Sequence, residues 1–218
     1  MATAAGANTK VRLIEAAERL FAEHGIDGVS LREVNRASGA RNAIAVQYHF
    51  ADRAGVVRAI LDKHVPGIEA ERHALLDRYE GGGTRDLRTL AAALVRPLAT
   101  KLADADGGPA FLQIYADLLN RPKPVVTPLP FDGPHDSSIN RWRALLEPLI
   151  EQDAVRLHRR FTALLHATFE LARRARSGPH ADDRLFTSYV IDVVAAILAA
   201  PVSDETRQLA QARGRLRA

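Results

Sequence analysis

The chain contains no cysteine. That excludes disulfides, thiolate metal sites and cysteine nucleophiles, and it fits a reducing cytoplasm. The opening MATAAGANTK has no apolar core segment, so it reads as a disordered arm over residues 1–8 rather than a signal peptide. The longest apolar run, Val193 to Val202, is too short to cross a bilayer. Valine and isoleucine rarely alternate with polar residues, so no sheet is expected. The sequence has no HExxH, no GxSxG, no P-loop and no dinucleotide-binding glycine fingerprint. Gly81-Gly82-Gly83 has no strand before it and no Gly-Lys-Ser/Thr after it, so it reads as a helix connection and not as a phosphate cradle. His158 and His166 lie two turns apart, without the i, i+4 spacing of paired metal ligands. Asp182-Asp183 reads as charge at a helix start. An enzyme is therefore not expected, and neither is a cofactor or a metal.

What remains is helix. The chain has 218 residues, room for one or two domains, and 47% of them are hydrophobic, with alanine and leucine foremost. The net charge is +4 and the pI about 9.7, which permits binding to a polyanion. Arginine supplies most of the positive charge, and its planar fork suits phosphate and guanine.

The most informative stretch is Ser30 to Phe50, SLREVNRASGARNAIAVQYHF. Ser30 followed by Glu33 makes a capping box. Leu31, Val34 and Ala37/Ser38 fall on one helical face. Gly39 suits the left-handed residue that ends a helix, and Asn42 suits the cap of a second helix over Ala43 to His49. Two short helices about a glycine turn form a helix-turn-helix, whose second helix enters the DNA major groove.

From about Lys10 to Leu61 the chain resembles the N-terminal domain of TetR-family transcriptional regulators. The resemblance rests on LFAEHGIDGVSLREV, the Gly39 turn and YHFADRAGVVRAI. It implies a DNA-binding regulator whose default role is repression. The chain departs from the family pattern by carrying one more residue between Gly39 and Phe50, and by Asn35 in place of a usual alanine.

Three helices are expected before residue 65: Thr9 to His24, then the helix-turn-helix pair. A fourth begins at Asp52 and is interrupted at Pro66-Gly67, where the domain boundary is placed. Further helices are expected from a cap at Thr84 or Asp86 to Ala103 with a kink at Pro97, and over Ala110–Asn120, Ile139–Glu151, Asp153–Arg176 and Asp182–Ala200. Residues 121–137 hold five of the eleven prolines and read as a solvated connection or a flap. The expected architecture is all-α: an N-terminal DNA-binding domain over 9–65, a larger helical ligand-binding and dimerisation domain over 66–203, and a basic tail over 204–218.

On the second helix of the pair and around it, Arg41, Asn42, Ala45, Gln47, Tyr48 and His49 are candidates for DNA contact. Ala45 and Val46 are small enough to meet a thymine methyl, Arg41 suits guanine or phosphate, and Gln47 suits adenine. Ser30, Arg32 and Arg53 are candidates for phosphate contact. Ile44 and Phe50 are expected in the core. The resemblance further implies a homodimer, through helices at about 153–176 and 182–200, that reads a palindrome with half-sites roughly 34 Å apart. It also implies a small-molecule effector. Candidates for the pocket are Phe111, Tyr115, Trp142, Leu146, Phe161, Leu165 and Phe169, an apolar set that suits a hydrophobic or aromatic molecule. Two rivals remain open: a helical binding or scaffold protein whose helix-turn-helix is only structural, and a helical enzyme without a familiar motif.

Overall fold

The computed structural model describes residues 4–40, 42, 44–83, 85–127, 134 and 136–215, and no strand occurs among them. Among the described residues eleven α-helices run in order: α1 (Ala4–His24), α2 (Leu31–Ala37), α3 (Ala45–Phe50), α4 (Arg53–Gly81), α5 (Leu87–Ala99), α6 (Gly108–Asn120), α7 (Ser138–Leu146), α8 (Gln152–Arg156), α9 (Arg159–Arg176), α10 (Arg184–Ala199) and α11 (Asp204–Arg215).

The head is α1 to α3 with the start of α4. α1 buries Leu13, Ala17 and Phe21, and these meet Ile26, Val29 and Val34 from the following loop and α2. Helix begins at Ala4, ahead of Thr9, so the expected arm is helical from that residue on. Alanine's high helix propensity accounts for the extension.

α4 differs most from expectation. It is one helix of 29 residues, about 43 Å long, and it passes through Pro66 without ending. Pro66 and Gly67 are exposed, and so is Asp62, whose carbonyl loses its partner to the proline and faces the solvent side. The domain boundary expected at residue 66 therefore falls inside a continuous helix. Val56, Val57, Ile60 and Leu61 anchor its first half in the head, and Ile68, Leu76 and Tyr79 anchor its second half in the body.

The body is built around α5. Leu90 to Val95 are buried without interruption, so this helix has neighbours on all sides: α4, α7, α9 and α10. Asp86 is its N-cap, with its carboxylate accepting from Thr89 N–H at 2.8 Å; Thr84, the other expected cap, lies outside the described residues. α6 packs on α9 and also reaches α1 in the head. The helix expected over Asp153–Arg176 is two pieces, because His158 takes a left-handed conformation (φ +58°) between α8 and α9. The tail expected after residue 203 forms α11. No single helix among the described residues is long and apolar enough to cross a membrane.

Candidate nucleic-acid interface

The capping box at Ser30 is formed in full. Glu33 N–H donates to Ser30 Oγ at 3.2 Å, and Ser30 N–H donates to Glu33 Oε2 at 2.7 Å. The hydrogen bonds from Ser30 hold the Glu33 carboxyl below the usual carboxylate range. Gly39 then turns the chain at φ +66°, a conformation that a side chain would strain.

Asn35 fixes the position of the turn and of α3. It is buried on α2; its Nδ2 donates to the Asn42 carbonyl at 2.9 Å, and its Oδ1 accepts from Val46 N–H at 3.4 Å. One side chain therefore ties the turn and the first turn of α3 to α2. Ser38 adds a second tie: its hydroxyl donates to the Asn35 carbonyl (2.8 Å) and accepts from Ala40 N–H (3.2 Å). Asn42 does not cap α3 directly, because the helix starts at Ala45, but its Oδ1 takes the Ile44 N–H at 3.0 Å.

This clamp sets the rotation of α3, and the rotation corrects three expectations. Ala45 and Val46 are 4% and 2% exposed, facing the head's core and not outward. Ile44, expected in the core, is 59% exposed. Tyr48 is 80% exposed, with its ring edge-on to His49. The outward set is thus Asn42, Ile44, Gln47 and Tyr48, with His49 half-buried and Phe50 buried as expected. Arg41 lies outside the described residues.

Behind α3 the chain makes a tight three-residue turn at Ala51 (φ +63°, ψ −59°), closed by Asp52 N–H to the Phe50 carbonyl at 2.7 Å. Gly55 is required here, since a Cβ on it would stand 1.8 Å from the Phe50 carbonyl oxygen. Arg53, expected to face phosphate, turns inward: it donates to the Ile26 carbonyl and lies 3.6 Å from Asp27. The Ser30 hydroxyl is likewise engaged, by Glu33.

Two cations stand clear of such ties. Arg32 and Arg36 are exposed on α2, and neither has an ion pair among the described residues. Between Ser30 and Ala51 the only acidic residue is Glu33, already engaged by Ser30. The face formed by α2 and α3 is therefore positive, polar and amide-bearing, which matches a phosphate-lined groove with base edges at its floor. Arg36 and Ile44 were not foreseen. The signal for Arg36 was available, because it lies four residues after Arg32 on one face of α2.

The family model for bacterial regulatory proteins, tetR family, matches residues 13–60. The head is thus matched as a tetR-family DNA-binding domain. The matched segment lies within the range of the resemblance and includes α2, the turn and α3, so it supports the reading of this head as the DNA-binding helix-turn-helix of a transcriptional regulator. None of the curated proteins compared matches the chain.

The head is joined to the body at two polar contacts. In the first, Glu18 of α1 is 2% exposed and accepts from His64 Nε2 (2.8 Å) and Lys63 Nζ (2.9 Å). Lys63 also pairs with Asp106 at 2.8 Å, and His64 Nδ1 lies 3.9 Å from Asp104. Burial disfavours the charged Lys63, but its bonds to Asp106 and Glu18 outweigh that and raise its pKa above the usual value. In the second contact Ile26 N–H donates to Asp117 of α6 (3.2 Å), and Arg121 holds both Asp27 (2.7 Å) and Asp117 (3.2 Å).

The residues expected to line an effector pocket do not converge. Phe111 and Tyr115 stack at 5.5 Å and border a small cavity. Trp142 and Leu146 are core, with Trp142 Nε1 donating to the Leu90 carbonyl at 2.8 Å. Phe161 and Leu165 are half-buried at the margin of the core, and Phe169 is 37% exposed.

Proposed function

We propose that the protein is a homodimeric repressor that reads a palindromic operator with α3 and is released from it by a small molecule bound in the body. The observation that carries the DNA reading is the outward face of α3 held by the Asn35 clamp. Gln47 and Asn42 offer amides for base edges, Ile44 and Tyr48 offer surface for a thymine methyl or the sugar backbone, and Arg32 and Arg36 lie beside them for phosphate. His49 is a backbone contact at the edge of this face. Arg41 joins the set by its place in the sequence, next to Asn42.

Dimerisation is supported by an apolar stripe on α9 and α10. Leu185 is 84% exposed and Tyr189 64%, one turn apart, and Phe169 of α9 is exposed as well. Such residues on adjacent helices favour burial against a second copy. The effector acts by favouring a dimer whose two α3 helices no longer match the half-site spacing, which requires that it bind the two forms with different affinity.

Selection from random duplex DNA at two salt concentrations tests this reading. A recovered palindrome whose affinity falls steeply with salt supports a dimeric operator reader. Weak binding without sequence preference, with and without an extract of small molecules, would favour the rival in which the helix-turn-helix is only structural.

A further inference from the structure

Arg72 is the most deeply buried cation of the body. It is 4% exposed and lies on the inward stripe of α4 with Ile68, Leu76 and Tyr79. Among the described residues its hydrogen bonds all leave from Nη1, to Ser138 Oγ at 2.8 Å and to Glu69 Oε1 at 3.3 Å. Its Nε is buried and has no partner among the described residues. Burial holds the guanidinium pKa below its usual value, against the opposing pull of Tyr115 and Glu69. The same arginine borders a cavity of about 10 Å³, walled mainly by Ile68, Leu98, Phe111 and Leu164 together with Tyr115 and Glu69. That space admits about one water molecule.

A guanidinium has two edges that can grip a carboxylate through two parallel N–H donors. Here the Nη1 side is engaged by Glu69 and Ser138, and the edge that includes Nε is open. Without Arg72, Glu69 loses its counter-charge but keeps the hydrogen bond from Ser138 N–H to its Oε2 (2.7 Å), and its side chain is a quarter exposed.

We propose that Arg72 is the anchor of an effector site for an amphipathic monocarboxylate, whose carboxylate pairs with the Nε edge and whose apolar body enters among Leu98, Phe111 and Leu164. This rests on the reading that the body holds an effector, and it names the effector's class. With Glu69 already balancing its charge, Arg72 has no surplus to offset the two negative charges of a phosphate monoester, and its free edge suits a single carboxylate group. Ligand pockets run to about 300 Å³ or more, so binding enlarges the cavity and displaces Phe111. That ring packs on His64 at 4.6 Å, and His64 holds Glu18 of α1. Entry of the ligand therefore presses on the contact that joins body to head.

The test uses the full-length protein and its sole tryptophan. Trp142 lies one turn from Ile139, which also borders the cavity, and its fluorescence reports on rearrangement there. Straight-chain and aryl monocarboxylates from acetate to decanoate are titrated beside the matched primary amides, with thermal shift as a second readout. The expected result is saturable binding of a longer acid, with its amide weaker by about tenfold or more, the factor that one charge-assisted hydrogen bond supplies. In Arg72→Met the acid is expected to lose that advantage. Arg72→Lys, which keeps the charge and loses the fork, is expected to retain only part of it. Circular dichroism verifies the fold of both. Equal binding of acid and amide to the wild type would overturn the carboxylate assignment and leave an effector-binding body standing. Binding of neither series, in a protein that still selects a palindrome, would overturn the assignment too and would remove support for an effector in this cavity.

Discussion

Two of the buried charged clusters along α4 are finished differently. At the seam with the head, Glu18, His64, Lys63 and Asp106 satisfy one another, with Asp104 close by. Two turns further on, Arg72 is equally buried and only half used, with its Nε lacking a partner among the described residues. A closed network rigidifies the elements it joins. A half-satisfied one costs stability and leaves a donor for another group to take. The seam therefore reads as a joint and Arg72 as a receptor.

The largest expected effect distinguishes the two. Glu18→Ala leaves His64 without its carboxylate inside the joint and should cost about 3–5 kcal/mol in chemical denaturation. A loss below about 1 kcal/mol would show that the seam is not a joint. Ser30→Ala serves as a local control: it removes a cap far from both sites and should cost about 1 kcal/mol, with seam and cavity unchanged. Arg72→Met should fall within about 1 kcal/mol of the wild type in either direction, because methionine fills the space and Glu69 keeps the Ser138 N–H. A penalty as large as that of Glu18→Ala would make Arg72 a structural ion pair and erase the comparison.

The seam was only partly legible in the sequence. Signals that act over three or four residues were readable: the Ser30–Glu33 box, the Gly39 turn and the Asp86 cap were all found from residue identity. The rotation of α3 was not. A helix of six residues has too little periodicity to fix its own phase, and a tertiary contact from Asn35 sets it. Ala45 and Ile44 consequently exchanged their expected places. α4 looked broken because proline normally ends helices, whereas this proline faces solvent. Arg72 was hidden by its residue type, although the spacing Ile68, Arg72, Leu76, Tyr79 places an arginine on an apolar face. Glu18 stands next to Ala17 on the inward face of α1 in the same way. In both helices the exception within the stripe marked the polar site.

The smallest expected effect is in pH. The hydrogen bond from Lys101 holds Asp104 below its ordinary value of 3.8. Its contribution is present above that value and is lost as pH falls through the lower folded pKa. Lys63 is raised above 10.5, so its contribution is full below that value and is lost as pH rises through the folded pKa. Stability should therefore decline at both ends, and Lys63→Met should remove part of the alkaline limb while leaving the acid limb in place. An unchanged alkaline limb would mean that Lys63 does not hold the seam.

If Arg72 is a receptor and the seam a joint, α4 and Phe111 carry an event at the one to the other. The most direct measurement is the affinity for the selected duplex, with and without a saturating amphipathic carboxylate, in wild type and in Arg72→Met. The expected result is a loss of about fivefold to a hundredfold in the wild type, the usual range of coupling between two sites, and little change in the variant. Unchanged affinity in wild-type protein, with carboxylate binding verified in the same sample by Trp142 fluorescence, would contradict it.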